Sequence, residues 1–120
     1  MAKSRQSLGK KGEALAIQYL TERGYTILDR NFRFDRGEID IVARDSGVIV
    51  FIEVKTRKTG SVGAPEEAVT ARKRDQIWKV AEGYLYERQL SDAECRFDVI
   101  AVKQENGSPK ISHFKDVFSV

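Results

Sequence analysis

Apolar positions along the chain change their spacing in a way that predicts two helices and five strands. Between residues 7 and 24, apolar residues such as Leu15, Ala16 and Leu20 recur every three or four positions, which is typical of one face of a helix. Gly24 is suited to ending that helix. A second helix is predicted over residues 70–88, and strands over residues 25–34, 38–44, 48–56, 95–103 and 110–118. The order helix, three strands, helix, two strands predicts an α/β fold, a mixed sheet flanked by helices.

Length and composition fit a single globular domain that spans residues 1–120. Of the 120 residues, 41% are hydrophobic and 32% are charged, which excludes a disordered chain. The longest apolar run, residues 48–52, is too short to cross a membrane. Residues 1–8 are basic and expected to be flexible, and no apolar stretch follows them to form a secretory signal. We therefore expect a cytoplasmic protein.

The side chains available for metal binding are mainly carboxylates. Cys95 is the only cysteine and His113 the only histidine, so a thiolate zinc site or a histidine pair is excluded. We expect both residues to be structural. A metal, if the protein uses one, is a hard cation such as Mg²⁺ or Mn²⁺ held by oxygen ligands.

Positive charge is concentrated in two tracts. The net charge is +3, but residues 1–11 carry +4 and residues 54–80 carry another +4. Basic tracts beside acidic regions are typical of a protein that holds a polyanion, although a solvated surface explains the charge alone equally well. With nucleic acid as the partner, phosphate contacts are predicted for Arg57, Lys58, Arg72, Lys73, Arg74, Lys79, Lys10 and Lys11. Trp78 could stack on a base, but a core position is the better prediction.

Two acidic residues are predicted to meet across a hairpin. If residues 46 and 47 form a two-residue turn, the register places Asp40 opposite Glu53 and Glu38 opposite Lys55. Two ionised carboxylates at such a short distance repel each other unless a cation lies between them. Lys55 projects from the same face as Glu53, two residues further along the strand. The alternative is an amphipathic strand whose polar side carries these charges. The apolar run before Glu53 instead indicates a central strand covered on both faces. Charged side chains at the end of such a strand are costly to bury unless they are paired or bound to a ligand.

The motifs around this hairpin resemble a known family. The sequence resembles the bacterial YraN-like uncharacterised protein family, assigned to the PD-(D/E)XK nuclease superfamily and similar to archaeal Holliday junction resolvases. The likeness extends from about residue 9 to residue 118, and Ile39 stands where the superfamily name has proline. It implies a restriction-endonuclease-like fold. The matching motifs are Gly12-Glu13, Gly37-Glu38-Ile39-Asp40, Glu53-Val54-Lys55-Thr56-Arg57, Gly63-Ala64-Pro65, Val69 to Lys73 and Arg96-Phe97-Asp98.

The resemblance implies a role for each motif residue. Asp40 matches the motif aspartate, Glu53 the second acid and Lys55 the motif lysine, while Glu13 matches the first-helix acid of the resolvase-like branch. Asp40 and Glu53 would hold Mg²⁺ or Mn²⁺ together with the Val54 carbonyl, and Lys55 would orient the attacking water. Glu13 is assigned with them to catalysis and metal binding: it would hold a metal-bound water or complete a second metal site, unless it only caps the helix or pairs with Lys11. The supporting residues are Glu38, which is expected to pair with Lys55, Thr56, and Asp98, which is expected to make structural hydrogen bonds.

These features predict a metal-dependent nuclease that hydrolyses phosphodiester bonds in DNA. Branched or single-stranded DNA could be its substrate. Two alternatives stay open from the sequence: a nucleic-acid-binding module that no longer cuts, and an RNA-processing nuclease on the same fold. The converging carboxylates favour catalysis, because a pure binder has no use for groups that repel phosphate. A homodimer is compatible with the resolvase likeness.

Overall fold

The computed structural model describes residues 5–57, 70–105 and 107–117. The order of elements and the mixed sheet predicted from the sequence are confirmed within these residues. Two helices and five strands follow the chain as α1 (Arg5–Glu22), β1 (Thr26–Phe34), β2 (Gly37–Asp45), β3 (Val48–Arg57), α2 (Ala71–Glu87), β4 (Glu94–Glu105) and β5 (Ser108–Phe114).

Several sequence predictions fall at the edges of the described residues. Residues 5–8, predicted as part of a flexible amino-terminal segment, are the first turn of α1. Lys58, the predicted loop over residues 59–65 and its Gly63-Ala64-Pro65 motif lie outside the described residues, as does Val69.

The five strands form one sheet in the order β1-β2-β3-β4-β5. β3 is central and runs parallel to β4, whereas the other three pairings are antiparallel. A parallel pair needs a crossover connection, and α2 lies in that connection between β3 and β4. The sheet and the helices therefore form an α/β layer structure.

Apolar side chains on the two faces of the sheet form two separate cores, one under each helix. On β3, Val50 and Ile52 pack on the α1 side, while Ile49 and Phe51 pack on the α2 side. This alternation confirms that β3 is a central strand covered on both faces. Burying both faces fixes the register, because a one-residue slip would exchange the two cores. The helices contribute Ala16 and Leu20 of α1 to one core and Val80, Ala81, Tyr84 and Leu85 of α2 to the other.

Local backbone chemistry sets where the elements end. Gly24, with φ of +88°, follows α1 in the left-handed conformation that favours glycine. The turn between β2 and β3 places Ser46 at φ of +58°, and Asp45 pairs with Val48 across it. The predicted two-residue turn is therefore present. α2 begins after Thr70, whose hydroxyl oxygen accepts a hydrogen bond from the Lys73 backbone N–H at 3.2 Å.

Candidate functional site

Asp40 lies where the ladder between β2 and β3 ends. The paired residues run from Asp45 and Val48 to Ile41 and Ile52, in the register predicted from the turn. Asp40 and Glu53, predicted to be direct partners, lie one step beyond the last of these pairs. There the Val54 N–H donates a hydrogen bond of 2.8 Å to Asp40 Oδ2. The carboxylate is thus held against the β3 backbone next to Glu53.

The surroundings of Asp40 disfavour its charged form. Burial raises the pKa of the Asp40 carboxyl from 3.8 to about 6, although the hydrogen bond from Val54 opposes the shift. The negative charges of Glu13, Glu53 and Glu38 raise this pKa further. A site that gathers several negative charges around a buried carboxyl is one that a cation would stabilise.

Two lysine ammonium groups converge on one oxygen of Glu53. Lys73 Nζ, from the first turn of α2, lies 2.6 Å from Glu53 Oε1, and Lys55 Nζ lies 3.1 Å from the same atom. The Glu53 side chain is 22% exposed. Its other oxygen, Oε2, is buried and has no hydrogen-bond partner among the described residues. Glu53 therefore carries one oxygen in a charge cluster and one oxygen open to a further ligand.

The surroundings of the two lysines shift their pKa values in opposite directions. Burial lowers the pKa of Lys55, and the neighbouring Lys73 ammonium lowers it further in spite of Glu53. Burial alone would also lower the pKa of Lys73, but its hydrogen bond to Glu53 and the negative charges of Glu53 and Asp40 act together to raise it. Lys55 is thus the ammonium that loses its proton more readily, which suits a group that handles a water proton.

Helix α1 reaches the site through a close contact with β3. Gly12 packs directly on Thr56, so closely that a Cβ atom at Gly12 would collide with the Thr56 hydroxyl oxygen. This contact places the next residue, the half-buried Glu13, where its charge raises the pKa of Asp40. The structure therefore brings Glu13 to the site and gives Thr56 a packing role.

One predicted contact is corrected. Glu38 was expected to pair with Lys55, but its carboxylate lies 3.6 Å from Arg33 Nε on β1, and Lys55 contacts Glu53 instead. The reason is the early end of the ladder, since the β2–β3 pairing stops at Ile41 and Glu38 keeps its partners only on the β1 side. The negative charge of Glu38 still acts on the site, where it raises the pKa of Asp40.

Asp98 belongs to a separate buried network. Its side chain is fully buried and accepts hydrogen bonds from Arg96, from the Asp116 backbone and at 2.7 Å from His113. Burial would raise the pKa of Asp98, but the bonds from His113 and Arg96 outweigh it and lower that pKa. Arg96 also binds Asp45 and the Tyr25 hydroxyl. Asp98 and His113 thus belong to a hydrogen-bond network that joins β4 to β5.

The predicted phosphate-contacting residues occupy different positions. Lys10 and Lys11 are exposed on α1, and Arg72, Arg74 and Lys79 are exposed on α2. Arg57 is half-buried near the end of β3, and its Nε has no hydrogen-bond partner among the described residues. Lys73 differs from its exposed neighbours because its ammonium is turned to Glu53.

An open aromatic groove of about 530 Å³ runs along α2. Its walls include Phe34, Trp78 and Tyr86, of which Tyr86 is 80% exposed. The Trp78 ring also packs edge-on against Phe97, with ring centroids 5.9 Å apart. Trp78 therefore joins the core on one side, as predicted, and borders the groove on the other.

The donor atoms of the site fit a hard divalent cation. Within the described part of the chain, the buried Glu53 Oε2 has no hydrogen-bond partner, and the charge of Glu53 contributes to the raised pKa of the Asp40 carboxyl. Among the described residues no group of three or more His, Cys, Asp or Glu side chains forms a ready metal cluster. A cation here would therefore draw its remaining ligands from the main chain, as predicted for the Val54 carbonyl, and from water.

Lys73 is the site residue whose place the sequence reasoning missed. Its run of basic neighbours predicted a phosphate contact on an exposed helix face. The available signal was its position three residues after Thr70, since a residue in the first turn of a crossover helix lies near the end of the preceding strand.

The layer order and topology define an α/β protein with a restriction-endonuclease-like fold, and its candidate site combines Asp40, Glu53 and Lys55. The sequence model of the Uncharacterised protein family UPF0102 matches residues 12–102. The chain belongs to this family, the YraN-like family that its motifs resemble. It is 48% identical to a UPF0102 protein of Geotalea uraniireducens over 116 residues, which is 96% of this chain and 91% of that protein. It is also 48% identical to a UPF0102 protein of Geobacter metallireducens over 120 residues, covering 100% of this chain and 98% of the other.

Among solved structures, one similar chain is SfsA of Pyrococcus furiosus in complex with Ca²⁺, with a TM-score of 0.37 and 10% identity. The match covers 88% of this chain and 63% of SfsA. Within the described residues no helix is long and apolar enough to span a membrane.

Proposed function

We propose that this protein is a metal-dependent nuclease that hydrolyses phosphodiester bonds in DNA. The observation that carries the proposal is the meeting of Asp40, Glu53 and Lys55 at the end of the β2–β3 ladder, with a buried Glu53 oxygen that has no partner among the described residues. A purely structural cluster would pair its charges, whereas this one leaves a carboxylate with a raised pKa beside an open oxygen.

Each residue has a distinct part in the proposed reaction. Asp40 and Glu53 would bind Mg²⁺ or Mn²⁺ with the Val54 carbonyl, and Glu13 would hold a water on the α1 side. The chemistry supplied by such an ion would be a lowered pKa of water and neutralisation of charge on the phosphate. Lys55 would orient the attacking water as an ammonium and, once it has lost its own proton, which its lowered pKa favours, would accept the proton of that water as the neutral amine.

Binding of the nucleic acid would fall to the basic residues near the site. Arg72, Arg74 and Lys79 are exposed on α2, the helix that carries Lys73, and the half-buried Arg57 ends β3. Side chains of this kind neutralise phosphates without reading base sequence, so binding should weaken steeply with salt. A preference for DNA shape is therefore more consistent with this surface than a preference for sequence.

The test is cleavage of labelled DNA by purified protein with Mg²⁺ or Mn²⁺. Asp40→Asn and Glu53→Gln are expected to lose cleavage by at least about a hundredfold and to retain DNA binding, because both keep their shape and lose a metal ligand. Glu94→Gln is the matched control, since Glu94 is exposed at the opposite end of the β3–β4 pair. Equal cleavage by wild type and both site variants would reject the proposal.

The substrates separate the remaining alternatives. Linear, forked, four-way and single-stranded DNA are compared with RNA of the same sequence under one set of conditions. Cleavage of RNA alone would favour an RNA-processing role, and salt-sensitive binding without cleavage would favour a binding module. Sedimentation of the same samples measures whether the protein is a homodimer.

A further inference from the structure

Glu53 Oε1 is contacted by an ammonium that belongs to another element of the fold. Lys55 lies on the same strand as Glu53, two residues away, so its position relative to the carboxylate is fixed by β3. Lys73 comes from α2 and makes the shorter contact, 2.6 Å against 3.1 Å for Lys55. The Lys73 side chain is 35% exposed, compared with 26% for Lys55. Lys73 therefore has both the closer contact and the easier route into solvent.

We propose that Lys73 is a built-in counter-ion of Glu53, held on Oε1, and is displaced when a divalent cation binds the Glu53 carboxylate. This inference rests on the proposed function, because it assumes that Glu53 is a metal ligand. An ammonium 2.6 Å from Oε1 and a divalent cation that enters at the buried Oε2 compete, since one carboxylate charge attracts both and the two cations repel each other. Lys73 is thus a positioning residue that holds Glu53 in place before the ion arrives.

Displacement would give Lys73 a second use. Once it leaves Glu53, its ammonium extends from the first turn of α2 beside the exposed Arg72 and Arg74. It then joins the positive surface to which phosphates would bind. Cation binding would in this way add a positive group to the nucleic-acid surface, so that the ion and the polyanion favour each other.

The first experiment measures Mn²⁺ affinity by calorimetry at one pH, without nucleic acid. Lys73→Met removes the ammonium and keeps the aliphatic part of the side chain. The variant is expected to bind Mn²⁺ about fivefold more tightly than wild type, because the cation no longer competes with a partly exposed ion pair. Arg72→Met removes the same charge from the neighbouring exposed position and should change the affinity less than about twofold. A merely structural role for Lys73 would leave the affinity unchanged or weaken it, and either result would overturn the inference.

The second experiment uses the wild-type protein, so it does not depend on how the variant folds. Lysines are acylated with an N-hydroxysuccinimide ester, with and without Mn²⁺, and quantified by mass spectrometry. Lys73 should react about fivefold faster with Mn²⁺ if the ion displaces it, as expected for losing a partly exposed ion pair. The exposed Lys79 on the same helix is the reference and should not change. An unchanged rate at Lys73 would overturn the inference.

The two proposals fail in different ways. Glu53→Gln binding Mn²⁺ as tightly as wild type would reject the metal site itself. A wild type that binds Mn²⁺ through Glu53, together with a Lys73→Met variant of equal affinity, would reject only the displacement of Lys73. Binding in neither wild type nor Lys73→Met would reject both.

Discussion

Replacing Asp40 by asparagine is expected to stabilise the ion-free protein at pH 8 while it abolishes cleavage. Asparagine keeps an oxygen that can accept the hydrogen bond from the Val54 N–H, so the end of the ladder is preserved. What it removes is a negative charge that burial and the charges of Glu13, Glu53 and Glu38 disfavour. The substitution thus measures how much the negative charge lowers the free energy of unfolding, while the packing of the side chain stays the same.

The magnitude follows from the pKa of the carboxyl. In the folded protein the pKa of Asp40 is about 6, against 3.8 for an ordinary aspartate. Because the folded pKa is the higher one, Asp40 favours folding fully only below pH 3.8, and this contribution is lost as the pH rises through 6. At pH 8 the ionised carboxylate costs about 3 kcal/mol, so Asp40→Asn should gain roughly that amount. At pH 4.5 the gain should shrink to about 1 kcal/mol.

The assay is urea unfolding followed by Trp78 fluorescence in the presence of a chelator, at pH 8 and at pH 4.5. The slope of the transition should stay constant, so that the midpoint reports stability. Asp92→Asn serves as the control, because Asp92 is exposed in the turn before β4. A destabilised Asp40→Asn at pH 8, or an equal gain at both pH values, would refute the reasoning.

Two further predictions test how the fold supports the site. Gly12→Ala should cost about 1–3 kcal/mol and reduce cleavage, because the new methyl group collides with Thr56 and moves α1 away from β3. Gly9→Ala, on the same helix with open space around it, should instead gain up to about 1 kcal/mol in thermal unfolding, and equal losses in both variants would contradict the packing argument. Asp98→Asn should lose about 3 kcal/mol or more in urea at pH 7, because it leaves Arg96 without its buried counter-charge. As the pKa of Asp98 is lowered, its contribution is present above pH 3.8 and fades as the pH falls through the lower folded value, so the variant and wild type should converge in acid.

Much of the site could be read from the sequence because it is built on one hairpin. The Ser46-Gly47 turn sets the register of β2 and β3, and a register once set carries Asp40 to the vicinity of Glu53. Lys55 follows from the two-residue period of a strand. The register did not predict where the backbone pairing of β2 and β3 ends. Beyond the last pair, the Val54 N–H donates to the side chain of Asp40. The expected contact between Glu38 and Lys55 failed for that reason.

The sequence by itself determined the order of the elements, the central position of β3 and the acids of the hairpin, because these depend on residues near each other in the chain. Only the tertiary structure decided that Lys73 binds Glu53, that α1 reaches the site through Gly12, and that Asp98 joins a network with Arg96 and His113. Each of these contacts joins two elements, and its geometry depends on how a helix or a strand docks on the sheet. How the elements dock depends on the packing of both cores as a whole, and the spacing of residues along one segment does not predict that packing.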